Sequence, residues 1–191
     1  MKDQIKKTIR ILNEGGIVIF PTDTAFGIGC RIDNKKAINR LFKVRKRPAN
    51  QPVPVLVSSI EMAEKYLTSL PIDVKEKLID IYWPGSLTII LPCKNDLIPS
   101  LVRGGGNTLG VRMPNHEALL KIIEKIGVPL LGPSANFSNG KTPYDMVSLD
   151  QEIIKLVDFV LEGETKDKKV STVIDCSIKP WKIIRDGAII L

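Results

Sequence analysis

Ile17-Val18-Ile19-Phe20-Pro21-Thr22-Asp23-Thr24-Ala25-Phe26-Gly27 joins four consecutive apolar residues to two hydroxyls, a carboxylate and a glycine. The apolar run is too short for a helix and too uniformly apolar for a half-exposed strand, so it is predicted to be a buried strand. In open α/β sheets, ligands sit in the crevice outside the carboxyl ends of the strands. A polar cluster at that place either binds something or satisfies its own hydrogen bonds in a turn. From this segment alone, a turn shaped by Asp23 and a binding wall built from Thr22 stand equally open.

Working outward, the pattern alternates helices with strands. Asp3 is placed to cap a helix carrying Ile5, Ile9, Ile11 and Leu12, which Gly15-Gly16 ends. Asp33-Asn34 caps a second helix with Ala37, Ile38, Leu41 and Phe42 on one face, stopped by Pro48. Pro52–Val57 reads as a strand whose prolines suggest a sheet edge or an irregular start. Helices follow from Ser58 or Ser59 to about Tyr66, and from Pro71 to Trp83-Pro84-Gly85.

Strands are then predicted at Leu87–Leu91 and Leu109–Arg112. An Asn115-capped helix spans Glu117–Ile126, and a strand spans Pro129–Leu131. A polar loop runs from Gly132 to Pro143, followed by a helix around Gln151–Val157. Further strands fall near Phe159–Leu161, Thr172–Ile174 and Lys182–Arg185, with Ala188–Leu191 ending on or in the sheet. This order is that of an α/β protein with a twisted mixed sheet, one domain over residues 1–191.

Charge is unevenly distributed. The chain has a formal net charge of +7, yet residues 1–50 hold twelve Lys/Arg against four Asp/Glu. A local basic field attracts phosphates or nucleic acid. Lys6, Lys7, Lys35 and Lys36 read as solvated surface, whereas Arg45-Lys46-Arg47-Pro48 closes a helix. No apolar run approaches the ~20 residues of a membrane span, and the N-terminus lacks an apolar leader; a cytoplasmic location is expected. The three cysteines, Cys30, Cys93 and Cys176, are unpaired in pattern and read as buried filler in a reducing compartment.

Familiar catalytic signatures are missing. The single histidine, His116, opens a helix and has no partnered nucleophile in the pattern. No metal-ligand spacing occurs, so any metal is expected to arrive as Mg²⁺ with a nucleotide. Asn139-Gly140-Lys141-Thr142 resembles the end of a phosphate-binding P-loop, but Ala135 stands where a glycine is needed and Pro143 follows at once. Gly104-Gly105-Gly106 matches no dinucleotide fingerprint and reads as a mobile turn. More telling are Ser134-Ala135-Asn136, Leu109–Pro114 with its Arg112, Ser171–Asp175 and Ile183–Gly187 with its Arg185. Each places hydroxyls, an amide or an arginine at a strand boundary, and arginine forks suit carboxylates and phosphates.

Taken in order, Pro-Thr-Asp-Thr-Ala-Phe-Gly, Arg-Lys-Arg-Pro, Trp-Pro-Gly-Ser-Leu-Thr, Gly-Val-Arg-Met-Pro, Pro-Ser-Ala-Asn, Ser-Thr-Val-Ile-Asp and Ile-Arg-Asp-Gly-Ala resemble the motif set of the YrdC/Sua5 family. The resemblance runs from about Ile5 to Leu191 and is similar to the short form without a further C-terminal domain. It implies a twisted mixed open sheet flanked by helices around a basic concave cavity. The implied activity is L-threonylcarbamoyladenylate synthesis from L-threonine, bicarbonate and ATP, with pyrophosphate released. A tRNA-threonylcarbamoyl-transferase complex would use the product for t⁶A modification, and some family members were first described as double-stranded RNA binders.

The resemblance also implies residue roles. Thr22, Arg112, Ser134 and Ser171 match threonine-side positions. Arg45, Arg47, Thr108, Asn136, Tyr144 and Arg185 match nucleotide-side positions. Arg45 and Arg47 with Ser134 and Asn136 form the implied catalytic set. Arg45 departs from the family pattern, standing where lysine is usual. Ser86, Asn139 and Asp186 are further departures. On this resemblance Asp23 is expected to shape the turn, leaving Thr22 to meet substrate. Two alternatives fit the same sequence: a module binding tRNA or double-stranded RNA by phosphate contacts, and a carbamoyl-adenylating enzyme like part of the hydrogenase maturation factors.

Overall fold

A computed structural model describes residues 1–191. Helix α1 (Lys2–Asn13) leads into β1 (Val18–Pro21), which folds back as β2 (Phe26–Gly29). Next come α2 (Lys35–Val44), β3 (Val55–Leu56), α3 (Ile60–Tyr66) and α4 (residues 72–82), which contains a π-helical turn over Lys75–Ile79. Strands β4 (Leu87–Pro92) and β5 (Thr108–Arg112) precede α5 (Glu117–Ile126) and β6 (Leu130–Leu131). Helix α6 (Gln151–Lys155) and strands β7 (Phe159–Val160), β8 (Thr172–Asp175) and β9 (Lys182–Arg185) complete the fold.

The strands form two mixed sheets, ordered β2-β1-β7 and β6-β3-β5-β4-β8-β9. In the first, β1 runs antiparallel to β2 and parallel to β7. All four residues of β1 are buried, as its unbroken apolar run requires of a strand covered on both faces. The sheets are stitched together where β2 lies against the segment around β6. Ile28 N donates to Pro133 O, Leu131 N to Cys30 O and Ala135 N to Phe26 O, at 2.8–2.9 Å. Gly29 permits this contact, because a Cβ there would lie 1.8 Å from the Leu131 carbonyl oxygen.

Helices cover both faces. One apolar cluster sets Leu12 of α1 and Leu119, Ile122, Ile123 and Ile126 of α5 against Val18, Phe20, Leu56 and Leu130. The larger cluster joins Ala37, Ile38, Leu41 and Phe42 of α2 to Ile19, Ile28, Val55, Ile89 and Val111. This is the expected α/β architecture of mixed sheets flanked by helices.

Phe26–Gly29, for which no strand is expected from the sequence, forms β2; its pairing with β1 supplies the partners that the run Phe26-Gly27-Ile28-Gly29 does not advertise. Three local expectations need correction. Of the two readings of the Pro52–Val57 segment, the irregular start holds and the edge does not. β3 lies between β6 and β5, with only Val55 and Leu56 pairing, and Pro54 contributes its carbonyl to Gly132 N at 2.9 Å. The N-cap of α1 is Met1, with Asp3 in the first turn. The N-cap of α5 is His116 rather than Asn115, its Nδ1 accepting from Leu119 N at 3.3 Å. Burial lowers the pKa of His116, which favours the neutral ring that this acceptor role needs.

The cysteines are buried and unpaired, and burial pushes the thiols of Cys30 and Cys176 up to about 12. Because the thiolate is the reactive form, both should resist iodoacetamide at pH 8 in the folded protein and label fully in denaturant. Rapid native labelling of Cys30, counted by mass spectrometry, would contradict this packing.

Candidate active site

The turn after β1 is closed by Thr22. Its hydroxyl donates to Ala25 O at 2.7 Å and accepts from Thr24 N and Ala25 N, each at 3.1 Å. The Thr22 and Thr24 hydroxyls also meet at 3.0 Å. The turn is therefore shaped by Thr22, which also lines the central cavity, and not by the Asp23 carboxylate. The Asp23 side chain instead points inward, where Oδ1 accepts from Arg112 Nη2 and Oδ2 accepts from Ser86 Oγ at 3.0 Å.

Arg112, the last residue of β5, is buried with three of its N–H groups engaged. Nε donates to Gly85 O at 2.9 Å, Nη1 to Thr24 Oγ1 at 2.8 Å, and Nη2 to Asp23. A guanidinium has five N–H groups, so two remain unspent. Burial lowers its pKa, and the Asp23 carboxylate opposes that shift.

Arg45 and Arg47 come off the C-terminal end of α2. Lys46 between them takes a left-handed φ of 52°. That conformation turns its own ammonium outward, 4.8 Å from the Phe137 ring centroid, while both arginines line the central cavity. Arg45 is buried. Its Nε donates to Asn136 O at 3.0 Å and its Nη2 to Asn136 Oδ1 at 3.2 Å. Its Nη1 is buried with no partner. Burial, with repulsion from Arg47, brings the Arg45 pKa down to about 10. Arg47 is braced by Gln51 O at 3.1 Å and Pro52 O at 2.6 Å.

On the opposite wall, Arg185 donates from Nε to Ser171 O at 2.9 Å and from Nη2 to Ser171 Oγ at 2.8 Å. Ser171 in turn meets the Thr88 hydroxyl at 3.0 Å. Burial lowers the pKa of Arg185 as it does for Arg47.

These walls enclose an open cavity of about 140 Å³, lined by Arg45, Arg47, Arg112 and Arg185 and by no carboxylate. Thr22, Ser134 and Ser171 share the lining. Asn136 stands behind it and fixes Arg45. Its Oδ1 also accepts from Ser134 Oγ at 2.7 Å, and its Nδ2 donates to Gly140 O at 2.5 Å. A carboxamide is suited to this place because it accepts on one side and donates on the other.

Besides Asn136, two expected positions fall outside the lining. Thr108 begins β5 opposite Pro92, four residues and about 13 Å of strand from Arg112. Tyr144 is placed beside the site by its loop, with its carbonyl accepting from Thr165 Oγ1, but it does not line the cavity. Conversely, Thr24, Thr88 and Thr142 line it without having been singled out. For Thr88 a signal existed, a hydroxyl facing inward within the apolar strand Leu87–Leu91.

The family model described as "Sua5_yciO_yrdC: Telomere recombination" matches residues 10–187. The chain is 34% identical over 187 residues to the threonylcarbamoyl-AMP synthase of Pyrococcus abyssi (strain GE5 / Orsay), covering 97% of this chain and 54% of that protein. It is 34% identical over 190 residues to the threonylcarbamoyl-AMP synthase of Bacillus subtilis (strain 168), again 97% of this chain and 54% of that one. The solved structure of P. abyssi Sua5 complexed with L-threonine superimposes with a TM-score of 0.90 at 34% identity, over 96% of this chain and 54% of that chain. The chain thus spans about half the length of these relatives. No helix is long and apolar enough to cross a membrane.

Proposed function

Because the chain belongs to the Sua5/YciO/YrdC family, matched along residues 10–187, we propose that it makes L-threonylcarbamoyladenylate and pyrophosphate from L-threonine, bicarbonate and ATP. The observation that carries this reading is the buried, unpartnered Nη1 of Arg45 at a cavity lined by four arginines and no carboxylate. A buried donor without an acceptor is costly, and an anion entering the cavity would relieve that cost. Its charge suits the polyphosphate of a nucleoside triphosphate and the carboxylate of an amino acid.

In this reading bicarbonate takes up a proton and loses water to give carbon dioxide, and the threonine amine adds to it, forming a C–N bond and returning the proton. An oxygen of the resulting carbamate attacks the α-phosphorus, and the bond to pyrophosphate breaks. Both reactants are anions, so positioning and charge neutralisation dominate catalysis. Arg45, Arg47 and Arg185 neutralise phosphate, while the two unspent N–H groups of Arg112 hold the threonine carboxylate. Ser134 and Asn136 keep Arg45 aimed. The lining offers Mg²⁺ no carboxylate ligand, so the metal enters as part of the nucleotide substrate. The product would pass to a tRNA-threonylcarbamoyl-transferase complex in the cytoplasm.

The test is incubation with ATP, bicarbonate and L-threonine, with pyrophosphate and the adenylate followed by enzymatic assay and mass spectrometry. Pyrophosphate release should require threonine and yield the threonylcarbamoyl adduct. Adenylation indifferent to threonine would point to a different carbamoyl-adenylating reaction. No turnover, together with salt-sensitive retention of double-stranded RNA, would point to an RNA-binding module.

A further inference from the structure

Asp23 does not line the cavity, yet it is tied to three of the elements that build it. Its Oδ1 accepts from Arg112 Nη2 and its Oδ2 from Ser86 Oγ at 3.0 Å. Its carbonyl accepts from Lys166 N at 3.1 Å and Asp167 N at 2.8 Å. Ser86 also meets the Asp167 carboxylate. The side chains of Asp23 and Arg112 are only 4% and 7% exposed, so the pair is shielded from solvent, where a guanidinium–carboxylate contact is strong and directional.

The rest of the Arg112 fork is held as tightly. Gly85 O takes Nε and Thr24 Oγ1 takes Nη1. Gly85 belongs to the turn before β4, and Thr24 to the turn before β2. The guanidinium plane is therefore set by three acceptors from two loops, with Asp23 the one charged acceptor among them. Remove Asp23, and Nη2 loses its anchor while a buried cation loses its counter-charge.

We propose that Asp23 is the positioning residue of this site, holding the Arg112 guanidinium in the one orientation that presents its two free N–H groups to a carboxylate in the cavity. Ser86, whose single hydroxyl proton is shared between the Asp167 and Asp23 carboxylates, ties the Asp23 carboxylate to the turn before β4. The proposal rests on the functional reading above, since it assigns the threonine carboxylate to Arg112. It separates the threonine half of the site, which Asp23 governs, from the nucleotide half, which Arg45, Arg47 and Arg185 form without touching it.

The test has two readouts. In protein labelled with ¹⁵N-arginine, the Arg112 Nε–H resonance, assigned by its absence in Arg112→Lys, should be slow to exchange. It should be lost in Asp23→Ala and retained in Asp23→Asn, which keeps an acceptor for Nη2. In steady-state kinetics, Asp23→Ala should raise the threonine KM on the order of thirtyfold, the scale of one hydrogen bond to a charged group, with the ATP KM within about twofold. Asp23→Asn should recover most of that loss. Ser86→Ala, which leaves the ion pair in place and keeps the test alive if Asp23→Ala does not fold, should raise the threonine KM severalfold and again spare ATP.

A protected Arg112 resonance in Asp23→Ala would overturn the proposal. So would parallel rises in both KM values, or an Asp23→Asn variant as impaired as Asp23→Ala. An unmoved threonine KM in Ser86→Ala would remove Ser86 from it. Wild-type protein with no threonine-dependent turnover would overturn the functional reading, while the guanidinium resonance would still decide the positioning.

Discussion

Arg45→Met is expected to reduce threonine-dependent pyrophosphate release by at least a hundredfold while leaving a folded protein. The loss follows from geometry: Arg45 is the lining cation with a buried, unpartnered N–H group, so it has donor capacity that only a ligand can use. Removing one such donor from a preorganised, water-poor site typically costs about 10²–10³ in turnover. The fold survives because opposing terms nearly cancel. A guanidinium pKa lowered to about 10 corresponds to a burial cost of roughly 3 kcal/mol that methionine does not incur. Against this stand the two hydrogen bonds to Asn136, each worth about 1.5–3 kcal/mol when charge-assisted. A thermal midpoint within several degrees of wild type, with turnover gone, is the expected pair of measurements. Turnover near wild type would refute the placement of phosphate at Arg45.

Gly29→Ala is expected to have the largest effect on stability of any single methyl addition at the junction of the sheets. The new Cβ would sit 1.8 Å from Leu131 O and 3.0 Å from Leu131 C, and both are backbone atoms. Flexible side chains can move aside; here each backbone is pinned, Gly29 by its pairing with Val18 and Leu131 by its bond to Cys30 O. Overpacking costs about 1–3 kcal/mol where neighbours can give, and this site should lie at or beyond the upper end. For a domain of this size that means a fall in the melting midpoint of roughly 10 °C, with poor soluble yield. A fall under about 3 °C in differential scanning calorimetry would mean that the two sheets can part locally without consequence.

Much of the architecture was legible because periodicity and breakers agreed. The face Ala37, Ile38, Leu41 and Phe42, capped by Asn34, and the unbroken run Ile17–Phe20 each allowed one reading. What stayed hidden depended on partners distant in sequence. β2 alternates phenylalanine or isoleucine with glycine and has little intrinsic strand character; its pairing with β1, backed by bonds from the Leu130–Ala135 segment, makes it one. β3 read as an edge or an irregular start because prolines cannot donate, and a ladder of two residues, beginning after Pro54, avoids needing those donors.

The site was legible as a set of residues rather than as a set of contacts. Arginines and hydroxyls at strand ends were visible, and Arg45, Arg47, Arg112, Arg185, Thr22, Ser134 and Ser171 do meet in one cavity. The partition of Thr22 and Asp23 was not visible, since both residues can close a turn and only the neighbouring guanidinium decides which one does. Asn136 likewise acts from behind Arg45, a placement that its own local sequence does not reveal.

The distances in sequence across the cavity have a consequence for how the chain matures. Arg112 reaches back 89 residues to Asp23, and Arg45 reaches forward 91 residues to Asn136. Ser171 receives Arg185 only after the last strand has formed. Closures of this length are entropically late events, and no contiguous stretch of the chain contains a working half of the site. A ribosome-bound nascent chain should therefore be blind to nucleotide until Arg185 has emerged. A truncated or mispaired chain would therefore lack the complete cavity.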